Sequence, residues 1–270
     1  MLCRRNFMSL ILILALSGCG RSTPKEGVSR STGESVSSIP EEKRQASFRD
    51  LGLALHNYEQ MGNGLPRADG PGTPMNKFQS NKYKPGLSWR VYLLPVLSRQ
   101  DLFAKFKLDE PWDSPANSAL LPEMPEIFRS AGTSKPGETC FHVLLGPKGK
   151  KGFIFTDPLA KAPPSEPDST EFVSDGILST RLAEISDGLA DTIMLVEGGP
   201  STAAPWTQPG GIVVDVTHPK AALGISGQHA LMMAANGKFH KVDFAKMSDE
   251  TFLALLTRNN KANEPAVTDW

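Results

Sequence analysis

The chain has 270 residues, enough for one large domain or two small ones around a substantial core. Lysine plus arginine and aspartate plus glutamate each total 29, so no basic stripe advertises a nucleic-acid partner. The 24 glycines and 22 prolines argue against a helical bundle and for a loop-rich domain that contains sheet.

The first segment has a short basic start, Arg4 and Arg5, followed by an apolar run from Phe7 to Leu16. That run is too short to span a bilayer but suits the core of a signal peptide. It ends in Leu16-Ser17-Gly18-Cys19, which resembles the bacterial lipobox. The resemblance implies lipidation of Cys19 and cleavage before it. Residue 20 is glycine, not aspartate, so retention at the inner membrane is not specified. The expected product is a membrane-anchored lipoprotein of the cell envelope, facing the periplasm or the cell surface. Its expected parts are a signal peptide (1–18), the lipidated cysteine with a polar tether (19–38), one domain (39–262) and a tail (263–270). On this reading Cys3 is discarded and Cys19 is modified. Cys140 is then left without a partner, as a buried structural thiol.

Order is expected to begin near Ile39-Pro40-Glu41-Glu42, where a proline and two acids mark a helix start. Phe48, Leu51, Leu55 and Tyr58 recur at helical spacing, and Gly62 and Gly64 stop the run. That stripe is expected to be used up on the protein's own sheet, leaving nothing for neighbours. Leu65 to Pro85 has the composition of a long surface loop. Periodicity does not decide whether Trp89–Leu97 is strand or short helix. Ser98 with Asp101 resembles a capping box for a helix carrying Leu102, Phe103 and Phe106. Ser114-Pro115 opens another helix, which Pro122 closes.

Strands are predicted at Phe141–Leu145, Phe153–Thr156, Thr192–Glu197 and Ile212–Val216, with two more flanking a tight turn at Asn236-Gly237. The loop from Asp157 to Ser174 is rich in proline and acid. Ser248 caps a last helix that buries Phe252, Leu255 and Leu256.

The chemistry-bearing residues are scattered. No P-loop, dinucleotide fingerprint or nucleophile elbow is present, and Gly146–Gly152 reads as a basic exposed turn. The five histidines, at 56, 142, 218, 229 and 240, lack metal-ligand spacing and read as structural. Asp168, Glu171 and Asp175 in the 157–175 loop could offer oxygens to calcium, but a solvated acidic loop is the stronger reading. No cofactor, metal site or enzyme activity is therefore expected. Trp112-Asp113, between Pro111 and Ser114, either stacks on a sugar or anchors the core with Asp113 fixing the turn. Trp112, Asp113 and Trp206 are the candidate binding residues for a glycan or solute, in grooves around the two tryptophans.

Seven segments, GLALHNY (52–58), SWRVYLLP (88–95), EPWDSPAN (110–117), ALLPEMPEIFR (119–129), SDGLADTIMLVE (186–197), PW (205–206) and LALLTRN (253–259), resemble the planctomycete pilin-like family, domain of unknown function 1559. The resemblance implies an α+β fold, pilin-like, with an N-terminal amphipathic helix on an antiparallel sheet and extra short helices and long loops. The departures matter too. A lipobox and polar tether replace the family's apolar half-helix, so filament assembly is not expected. Arg44-Gln45 and Ser130 stand where family members carry cysteines, and Ser226 stands where they carry a histidine. The expected role is a structural or protein-interaction module contacting other envelope proteins; the alternative is a glycan- or solute-binding lipoprotein.

Overall fold

One long helix, α1 (Glu41–Gly62), lies against a four-stranded antiparallel sheet, and the remaining elements fill in around that pair. The structure is a computed structural model that describes residues 39–62, 64–68, 70, 86–133, 135–146, 152–156, 180–259 and 270. All of them belong to one unit running from Ser35 to Trp270. The lipobox, Cys19, the tether and the acidic 157–175 loop up to Asp175 lie outside the described residues.

The helix begins where the proline and the two acids predict. Phe48, Leu51 and Leu55 are fully buried and Tyr58 nearly so, which places this stripe on the sheet. The opposite face corrects the expectation that nothing is left over: Leu53 is 63% exposed and Met61 78%.

After α1 come four one-turn helices or near-helices, α2 (Trp89–Tyr92), α3 (Gln100–Phe103) and α4 (Pro115–Ser118) in the middle and the longer α5 (Asp249–Ala254) near the end. Segment 89–97 thus opens as a short helix and continues as turns. Ser88 caps α2 by accepting from the Arg90 amide, and Ser114 caps α4 by accepting from Asn117. Ser248 caps α5 through Thr251.

Ser98 does not act as predicted. It has a φ of 58° and ends the preceding turn. The Arg99 amide donates to Leu94 O and the Ser98 amide to Pro95 O, the double bond of a Schellman stop with serine in the left-handed place. Arg99 then precedes α3 without a side-chain cap.

The strands are β1 (Glu138–Thr139), β2 (Phe141–His142), β3 (Leu144–Gly146), β4 (Phe155–Thr156), β5 (Ile193–Glu197), β6 (Ala204–Pro205), β7 (Ile212–Val213), β8 (His229–Ala234) and β9 (Phe239–Asp243). The main sheet has the order β2-β5-β8-β9, all antiparallel. The run from 138 to 146 changes partner as it goes. β1 pairs antiparallel with β6, β2 with β5, and β3 pairs parallel with both β4 and β7. That small parallel group is an addition to the expected antiparallel sheet.

The Asn236-Gly237 hairpin is real but one residue longer than a two-residue turn. Met233 pairs with Phe239, the Ala234 amide donates to Lys238 O, and Gly237 takes a φ of 84°. This is a three-residue loop with glycine in the left-handed position.

Both faces of the sheet are covered, so two cores form. In β8, Leu231 and Met233 join the core under α1, whereas Ala230 and Met232 join the core under α5. The register of β5 shifts between Ile193 and Leu195. Met194 and Leu195 therefore both serve the first core, while Ile193 and Val196 serve the second. The fold is α+β.

Candidate functional site

The side chains with chemical potential are held by local structure, beginning with α1. A Cβ on Gly52 would stand 2.6 Å from Met233 Sδ, so glycine here lets the helix lie close on β8. Four residues later, His56 Nε2 donates to Ala235 O at 2.7 Å, fixing the helix to the strand's exit. These two residues account for much of the GLALHNY segment.

Arg90, a residue of α2, is 1% exposed. Its Nε, at 3.2 Å, and its Nη2 both donate to Phe141 O, and Nη1 donates to Ser88 Oγ at 3.0 Å. The guanidinium carbon lies 4.7 Å from the Trp89 ring centre. Nη2 also faces His142 Nδ1 at 3.2 Å, while His142 Nε2 faces Thr202 O at 2.9 Å. A carbonyl needs a donor and a guanidinium needs an acceptor. The imidazole is therefore neutral, with its proton on Nε2. Burial first, then the adjacent Arg90 charge, holds the His142 pKa down to about 3. Burial likewise pulls Arg90 down to about 9.

Glu197, 5% exposed, joins three parts of the chain. Its Oε2 accepts from Arg44 Nη1 at 2.9 Å and its Oε1 from the Ala131 amide at 2.8 Å. Burial raises the carboxyl pKa in spite of Arg44, so desolvation outweighs the ion pair. Nearby, Ser130 Oγ accepts from the Cys140 amide at 2.6 Å. Arg44 of α1 and Ser130 thus make polar links into one region around Glu197 and Cys140. Cys140 is a fully buried free thiol whose pKa is raised by burial, which suppresses the reactive thiolate.

Of the sequence-predicted ligand residues, Trp206 is fully buried. Its ring stacks on Phe128 with centroids 5.8 Å apart, meets Phe106 edge-on, and donates from Nε1 to Leu121 O at 3.1 Å. It presents no ring face to a sugar, which corrects its place in a surface groove. Trp112 is half-buried against the main core, and Asp113 is exposed.

The turn beside them is fixed by Asn117, a residue that sequence reasoning passed over. Asn117 Nδ2 donates to the carbonyls of Lys107, Glu110 and Pro111, and its Oδ1 accepts from the Lys107 amide at 2.9 Å. The signal was an asparagine three residues past a Ser-Pro helix start, where a cap is already supplied.

His218, His229 and His240 do not gather. His218 and His229 are exposed, and His240 stacks on Trp270 with centroids 4.0 Å apart. Among the described residues no group of three His, Cys, Asp or Glu side chains could hold a metal ion, and no helix is long and apolar enough to cross a membrane.

One open concavity, a cleft of about 430 Å³, runs along the outer face of α1. Asp50, Leu53, Ala54 and Asn57 form one wall; Val96–Arg99, Pro125 and Ile127 form the other. Its lining is mixed, with Asp50, Asn57, Ser98 and Arg99 as polar groups among apolar side chains.

These features define an α+β domain whose polar side chains chiefly tie the α1-sheet pair to the central helical turns. A family model described as a protein of unknown function (DUF1559) matches residues 45–223, more than half of the chain. The chain belongs to that family. No curated protein and no solved structure matches it.

Proposed function

We propose that this protein is a lipid-anchored module of the cell envelope that works by contacting other proteins, and that it is neither an enzyme nor a filament subunit. The observation that carries the contact role is the division of labour across α1. Arg90, His142, Glu197 and Cys140 are all buried in the fold, whereas the helix's outer face presents Leu53 and Met61, with Leu53 in the wall of the cleft. Buried, mutually satisfied polar groups stabilise and specify a fold, while exposed apolar groups beside a cleft mark an interaction surface.

The anchor rests on the sequence Leu16-Ser17-Gly18-Cys19. A diacylglycerol supplies two chains, which is enough for stable membrane attachment. The absence of filaments follows from the polar tether. A filament core helix needs an apolar stretch of about 20 residues, and residues 20–38 are polar.

The test is metabolic lipid labelling with Cys19→Ala. The wild type takes label and fractionates with membranes, and the variant takes none. Label that persists in Cys19→Ala contradicts the anchor.

A further inference from the structure

β9 is an outer strand of the main sheet, and its His240 stands opposite Met232 of β8, on the face that builds the core under α5. The ring of Trp270 lies flat on this imidazole, with centroids 4.0 Å apart and planes 11° from parallel, and it packs against the same core. Trp270 also holds the imidazole through its backbone, since His240 Nδ1 and Trp270 O are 2.6 Å apart. A carbonyl oxygen only accepts, so Nδ1 carries the proton and donates it. The neutral ring then leaves Nε2 bare, and that nitrogen is buried with no hydrogen-bond partner.

From this geometry we infer that Trp270 and His240 form an acid-released latch: Trp270 closes the rim of the second core while the imidazole is neutral, and a proton on Nε2 loosens it from β9. The docked seat suits a neutral ring. A proton added at Nε2 places a charge and an N–H where nothing accepts. Once Trp270 leaves, both N–H groups of the imidazolium face water and are satisfied. Docking and proton binding therefore oppose each other.

Two effects pull the other way. A charged ring would strengthen the bond from Nδ1 to the Trp270 carbonyl, and a cation over an indole is attractive. Burial outweighs the carbonyl, and the Lys238 ammonium, two residues back on β9, adds to burial in holding the His240 pKa below 6.5. On α5, Asp249 is tied to Lys220, and neither it nor Glu250 is among the groups that shift His240. Lys241, the next residue of β9, pairs with Glu41 of α1. The sign follows: the latch is fully closed above 6.5 and weakens as pH falls from there toward the docked value. Over that window the docking constant falls by up to about tenfold per pH unit.

The latch lies on the face of the sheet away from α1, so it neither supports nor needs the contact role of that helix. The test uses the full chain carrying fluorotryptophan and isotope-labelled histidine, titrated from about pH 8 to about pH 4 by nuclear magnetic resonance. Losses in His240→Gln and Trp270→Phe assign the two signals. In the wild type His240 titrates below 6.5, and the Trp270 signal moves toward a solvent-exposed position with the same midpoint. Trp89, Trp112 and Trp206 stay fixed over that range, which separates local release from unfolding. Trp270→Ala raises the His240 midpoint toward 6.5, while Trp270→Phe, which keeps a stacking ring, leaves it nearer the wild-type value. His240→Gln removes the pH dependence of the Trp270 signal.

A His240 midpoint that is the same in the wild type and in Trp270→Ala overturns the latch, and so does one above 6.5, which would mean that acid tightens the stack. A Trp270 signal that stays still while His240 titrates, or that moves only when all the tryptophans move, overturns it as well. His240 and Trp270 are only half-buried, so the fold tolerates these substitutions.

Discussion

Both faces of α1 carry leucine, with opposite fates. Leu51 and Leu53 stand two residues apart, about 200° around the helix, and one is fully buried while the other is 63% exposed. The inner face is committed: Phe48, Leu51, Leu55 and Tyr58 pack, Gly52 allows close approach to Met233, and His56 fastens to Ala235. The outer face carries apolar groups the fold does not need. The leucines themselves do not differ; the difference lies in which positions the sheet and central turns cover.

The largest expected effect breaks the inner face. Leu51→Ala should lose about 2–5 kcal/mol of stability, measured by denaturant unfolding. Leu53→Ala should change it by less than about 0.5 kcal/mol. Similar losses for both would erase the distinction.

Asn117→Ala comes next, since its buried side chain holds the 107–111 backbone through Oδ1 and the shared Nδ2 hydrogens; about 2–3 kcal/mol should be lost. A neutral result would mean that water readily replaces the amide.

A graded effect, smaller than these over the first pH unit below 6.5, is expected from acid. The folded His142 pKa, about 3, lies below the unfolded value of 6.5, so between these limits the unfolded chain binds the extra proton. The stability due to the neutral imidazole is full above 6.5 and declines as pH falls toward 3, by up to about 1.4 kcal/mol per pH unit. Glu197 acts in the opposite sense, because its raised folded pKa makes the folded state the tighter proton binder in its range. His142→Gln should flatten the slope between pH 6.5 and 5. An unchanged slope would remove His142 as its source.

The smallest expected effect is none at all: reductant should leave the melting temperature unchanged, since Cys140 is free. A clear fall would require a disulfide.

The parts of the fold legible in the sequence were those set by local chemistry. Ser248 caps α5, Ser114-Pro115 opens α4, and Asn236-Gly237 turns the β8–β9 hairpin because each acts within a few residues of itself. The misreadings involved longer reach. Ser98 looks like a cap until the turn that it terminates is visible, and the burial of Arg90 against the Phe141 carbonyl has no local signal. Trp206 looked available because nothing local reveals that Phe106 and Phe128 enclose it. The outer stripe was partly readable, for Leu53 and Met61 share a helical face opposite Leu51, yet only the packed structure shows that face uncovered.

The central claim is that α1's outer face serves contact and not stability. The most direct measurement compares the full chain with its Leu53→Asp, Met61→Asp double variant in one preparation, recording melting temperature and cross-linked assemblies together. The account predicts a melting temperature within about 2 °C of wild type, as surface changes allow, with the assemblies lost. Assemblies that persist unchanged, or a collapse in melting temperature, would contradict it.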